Sequence, residues 1–168
     1  MEGRFTSSAR LHEADLTEDG IRKYVAEHFA GVDTVVADAG TFFIYDPQRD
    51  LPDNKRWPFA TIVDCDNDFD NRSNLDRENV FRLNIGVSKE TLQSMFGTLS
   101  LAADGSVEGY DFARLDALMP HPMYGRMHWL CVLNPSDATF EKILALLDEA
   151  YQISVRRVSK ASPGDAQE

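Results

Sequence analysis

Between Val80 and Val87 the side chains alternate. Phe81, Leu83, Ile85 and Val87 point one way, and Arg82 and Asn84 point the other. A strand with this period has one face for a core and one face that no core can accept unaided. That pattern places it in an antiparallel sheet packed on one side. Three further runs read as strands. Val32–Ala37 and Thr41–Tyr45 form a hairpin across Asp38-Ala39-Gly40, and residues 59–63 follow a loop carrying three prolines. A fifth strand is expected over Met127–Leu133.

Helical spacing flanks this run. Thr17 caps a first helix with Ile21, Tyr24, Val25 and Phe29 on one side and Gly31 as its stop. Ser88 caps a short helix holding Leu92, Met95 and Phe96, closed by Gly97. Asp111 is expected to cap another, with Phe112, Leu115 and Leu118 on one side. The closing helix, about 137–157, shows Phe140, Ile143, Leu144, Leu147, Tyr151 and Val155 on one face. The order α-β-β-β-β-α-α-β-α predicts an α+β fold. Its antiparallel sheet has about five strands, with helices packed on one face and terminal helices at both ends. The ordered domain is expected over 17–158, after a loose leader (1–16) and before a polar tail (159–168).

The chain carries 17 Lys+Arg against 28 Asp+Glu, a formal net charge of −11. Nucleic-acid binding draws its affinity from cations that neutralise phosphates, so this balance argues against it. Cys65 and Cys131 stand apart from any metal-type spacing, which suggests free thiols in a reducing compartment. The polar N-terminus has no signal-peptide core, and no run is long enough to span a membrane. A cytoplasmic protein is expected, with no membrane association and no cofactor.

Three segments are candidates for chemistry. In the acidic stretch 64–77, Asp64, Asp66, Asp68 and Asp70 alternate as calcium ligands often do. An EF-hand needs Gly at its sixth position and Glu at its twelfth. Counting from Asp64 gives Phe69 and Leu75, and counting from Asp66 gives Asn71 and Arg77. Both registers fail, so the stretch is read as a solvated loop with no metal. The second segment, 121–129, gathers His121, Tyr124, Arg126, His128 and Trp129. Imidazole titrates near neutrality, and Tyr offers an apolar face with a polar tip. Strand alternation sends His128 to one face and Trp129 with Cys131 to the other, so Trp129 is read as core. The third is the polar face of Arg82 and Asn84. Meeting His128 across the sheet, they would form a cleft for a small polar or anionic ligand.

The runs FRLNIGVSKETLQSMFG, MPHPMYGRMHWLCVLNPSDATF and LLDEAYQISVRR resemble an uncharacterised bacterial family, seen mostly in actinobacteria and labelled a domain of unknown function. The resemblance spans about Thr17 to Arg157. It implies a fold and no activity. A more remote likeness is to the MmcQ/YjbR proteins, carried by Arg126, His128-Trp129 and Ala150-Tyr151 in the C-terminal third. It implies a sheet with helices on one side. That group's proposed DNA binding does not carry over, because this chain is acidic and lacks its lysine-rich stretch.

No nucleophile elbow, phosphate-binding loop or HExxH motif is present. The leading expectation is a non-catalytic small-molecule-binding or accessory domain with Arg82, Asn84, His121, Tyr124, Arg126 and His128 around its ligand. One alternative is a small-metabolite enzyme using His121 or His128 as general base. Another is a protein-interaction module using the sheet edge or the C-terminal tail, with a homodimer as one form of it.

Overall fold

The structure, a computed structural model, describes residues 16–160. The expected leader lies outside the described residues apart from Leu16, and the expected tail apart from Ser159 and Lys160. The elements run α1 (Glu18–His28), β1 (Val32–Ala37), β2 (Gly40–Tyr45), β3 (Pro58–Val63), β4 (Arg82–Gly86), α2 (Lys89–Phe96), β5 (Met119–Pro120), β6 (Trp129–Leu133) and α3 (Asp137–Lys160). Short 3-10 turns fall at Asp53–Lys55 and Gly125–Met127. The strands form one sheet in the order β1-β2-β3-β4-β6-β5, with every neighbouring pair antiparallel. The fold is α+β, with helices at both ends. The strand beyond the expected five is β5, two residues long and half proline.

The apolar side of the β4 alternation is buried under α1 and α3. Leu83 and Ile85 join Phe43, Ile62, Leu130 and Val132 from the sheet, Ile21 and Val25 from α1, and Phe140, Ile143 and Leu147 from α3 in one cluster. Burying each such side chain contributes about 1.5–3 kcal/mol. The caps are those the sequence indicates. Thr17 Oγ1 accepts from Gly20 N at 3.1 Å, and Ser88 Oγ accepts from Thr91 N at 3.1 Å. The start of α2 is tied to α3, because the Glu149 carboxylate accepts from Ser88 N and Thr91 Oγ1, both at 2.8 Å. Tyr151 packs against Phe29, Phe59 and Tyr45, and its hydroxyl donates to Ala30 O at 2.5 Å.

Among the described residues the other face carries no helix. Register places Phe42, Thr61, Asn84, Cys131 and Met119 in one row across it. Irregular chain covers its two flanks. Val107 and Phe112 pack on Met119 and Cys131, and Leu75 and Val80 pack on Leu133. The middle of the row, over Phe42, Thr61 and Asn84, stays open.

Two segments differ from the sequence expectation. No helix follows Asp111. Its carboxylate accepts from Ala113 N at 3.2 Å, but Leu115 then bridges Leu133, Asp116 adopts φ 58°, and Asp116 N donates to Leu133 O at 2.6 Å. Pairing with β6 replaces the helical turn. The strand expected from Met127 begins at Trp129, because residues 125–127 form the 3-10 turn and His128 closes it in the left-handed region at φ 74°. Among the described residues no helix is long and apolar enough to cross a membrane.

Candidate functional site

Arg82 is the centre of the open face. It is fully buried. A guanidinium without water must give its N–H groups to protein acceptors and find a counter-charge. Its Nε donates to Asn84 Oδ1 at 2.8 Å, and its Nη1 donates to Ser73 Oγ at 2.9 Å and Asp70 Oδ1 at 3.1 Å. Its Nη2 donates to Asp70 Oδ2 and lies 3.1 Å from His121 Nε2. Asn84 passes the chain on, donating from Nδ2 to Thr61 Oγ1 at 2.9 Å. Burial pushes the Asp70 carboxyl up, but the hydrogen bonds and charge of Arg82 outweigh it and hold Asp70 below the usual range. Removing either partner would strand a charge, a loss of about 3–5 kcal/mol.

His121 anchors the turn that walls the site. Its Nδ1 accepts from the backbone N–H groups of Met123 and Tyr124, both at 3.0 Å. This is the service that Asp or Asn gives in an ordinary turn. Nε2 faces Arg82 Nη2, a group that can only donate, and lies 3.8 Å from Asp70 Oδ2. Burial, and then the charge of Arg82, push the His121 pKa down to about 3, against a smaller opposing effect of Asp70. Gly125 completes the turn, because a Cβ there would meet Val107 Cγ2 at 2.7 Å and Pro120 Cβ at 3.2 Å.

Above this network lies a cleft of about 480 Å³. Thr61, Asn84 and Phe42 form its floor, and His121 and Asp70 one end. Its rim is apolar and wet: Trp57 is 58% exposed, Phe69 57%, Met127 56% and Tyr124 38%. Two of the rim residues, Trp57 and Phe69, are held through their chain neighbours. Arg56, next to Trp57, donates to Asp46 at 2.7 Å and Asp33 at 2.8 Å, which pins the loop to β1. Asn67 Oδ1 accepts from Phe69 N at 2.8 Å and Asp70 N at 2.7 Å. Trp129 lies over Gly86, whose missing Cβ would stand 3.2 Å from the indole.

Of the residues singled out from sequence, Arg82, Asn84, His121 and Tyr124 come together. Arg126 and His128 do not. Arg126 lies over Gly105, and His128 faces the grooves beside α2 and α3. Trp129 is not core: the alternation puts it with Cys131, and that side of β6 is the Asn84 face rather than the helix-covered one. Trp129 walls the cleft. Nor is Arg82 free for an anion, since its charge is spent on Asp70 beneath the floor. Trp57 and Phe69 are not among the sequence candidates, and Asp70, read there as part of a solvated loop, is instead the partner of buried Arg82. A signal for Asp70 existed: an arginine at a buried strand position demands a carboxylate, and the acidic loop just before it is the nearest source. That loop is also knit from within, with Asp66 Oδ1 accepting from Leu75 N at 3.0 Å and Asp76 Oδ1 from Asp66 N at 3.1 Å. Cys131 is buried, and burial pushes its thiol up to about 12, while Cys65 is exposed.

No curated protein and no solved structure matches the chain. The model of DUF6194, a family of unknown function, matches residues 16–163, from the start of the described fold to beyond the end of α3, and the chain belongs to that family.

Proposed function

We propose that this protein is a non-catalytic small-molecule-binding domain whose ligand enters the cleft on the helix-free face of the sheet. One observation carries the reading: Trp57, Phe69, Tyr124 and Met127, all large and solvent-exposed, gather around one concave site with a polar floor. Scattered exposed apolar residues are ordinary, but a cluster rimming a cleft marks a place where something binds. Thr61, Asn84 and Asp70 would orient the ligand, and the rings would hold it.

Two features favour binding over general-base catalysis. His121 is neutral, with a pKa near 3 and Nδ1 already occupied by backbone donors, so it is a weak proton acceptor at neutral pH. His128, the other candidate base, lies outside the cleft. The actinobacterial grouping and the MmcQ/YjbR likeness add no ligand. Of the residues carrying that likeness, only Trp129 lines the cleft.

Native mass spectrometry tests the proposal, on the purified protein and after incubation with a fractionated small-metabolite extract. The expected result is a 1:1 adduct lost on denaturation and absent from Thr61→Trp, which fills the floor. No adduct in any fraction, or adducts that Thr61→Trp retains in full, would sink it.

A further inference from the structure

The cleft also limits the charge of its occupant, provided the binding reading above holds. Five aromatic rings line it: Phe42, Trp57, Phe69, Tyr124 and Trp129. Among the described residues its single charged lining residue is Asp70, since Arg82 lies wholly beneath the floor. The ion pair therefore turns its acidic end to the cleft and its basic end inward. His121, the other titratable group at that end, is neutral near pH 7. Among the described residues no lysine, arginine or glutamate lines the walls. Around this lies a chain of net charge −11.

We propose that the cleft binds a small organic cation, an amine or alkylated ammonium, with its charge against the aromatic rim and the exposed edge of Asp70. The face of an aromatic ring carries partial negative charge and attracts a cation within about 6 Å of its centre. Alkylated ammonium groups lose little hydration on entering such a site and also fill apolar space. A carboxylate or phosphate would meet Asp70 with no free cation to offset it. The overall negative field would slow its approach and concentrate cations instead. Asp70 has acceptor capacity left, because Arg82 takes one hydrogen bond at each oxygen and a carboxylate offers about four acceptor sites. The Thr61 hydroxyl, which accepts from Asn84, retains its own proton to donate to a hydroxyl or carbonyl elsewhere on the ligand.

Isothermal titration of the full chain with three isosteres separates charge from shape: choline, neutral 3,3-dimethylbutan-1-ol and anionic 3,3-dimethylbutanoate. Choline should bind at 1:1, about tenfold tighter than the alcohol, with no measurable binding of the carboxylate. Trp57→Leu and Tyr124→Leu change exposed positions and should leave folding intact. Each should weaken choline about fivefold and the alcohol less. Choline binding no tighter than the alcohol, or no choline binding at all, overturns the cation assignment. In either case the binding cleft itself still stands or falls on the adduct seen by native mass spectrometry and its loss in Thr61→Trp.

Discussion

His121 is held by what surrounds it rather than free to act. Its ring replaces a turn-forming amide, and its neutrality is a condition of the fold. The sign of the pH effect follows. In the unfolded chain the imidazole titrates near 6.5, and in the folded protein only near 3. Above pH 6.5 both states are neutral and the stability is fully present. As pH falls below that, the unfolded chain takes up a proton that the folded protein refuses. Stability then falls by up to about 1.4 kcal/mol per pH unit. Asp70 acts in the same direction, but its pKa is held down from an ordinary value of 3.8, so its loss begins lower. Urea unfolding between pH 7 and 4.5 should therefore show a falling midpoint. His121→Asn can still accept the turn's N–H groups, and it should be less sloped over that window. An unchanged slope in the variant would remove His121 as the cause.

Among the elements, α2 depends on a neighbour. It has eight residues, too short to stand alone, and Glu149 on α3 fixes its first turn. Glu149→Ala should cost about 1–2 kcal/mol and speed hydrogen exchange at Leu92 and the amides after it, while the cleft is unaffected. Exchange unchanged there would mean that apolar packing alone holds α2. What the sequence made legible also sorts by element. The period of two in β4 and the apolar stripe of α3 are local patterns set by burial on one face, and both are where they were read. The segment 111–118 carried an equally good local cue in Asp111, yet β6 offered Leu115 and Asp116 a partner 17 or more residues away. The site divides in the same way. Arg82 and Asn84 were legible as the polar side of an alternation. Trp57 and Phe69 sit in charged loops with no period, and only tertiary folding brings them to one rim.

At the scale of the whole molecule, the sheet is asymmetric by construction. One face is closed by two helices, and the other is left to irregular chain that covers only its flanks. That arrangement gathers Phe42, Trp57, Phe69, Tyr124 and Trp129 around one opening. The sequence contains two tryptophans, Trp57 and Trp129, and both line it. Tryptophan emission, excited selectively over tyrosine, is consequently a signal from residues that line the cleft. An occupant that excludes water from the rim should shift the emission to the blue, with Trp57, more than half exposed, contributing most of the change. The unlabelled wild-type chain is thus its own sensor.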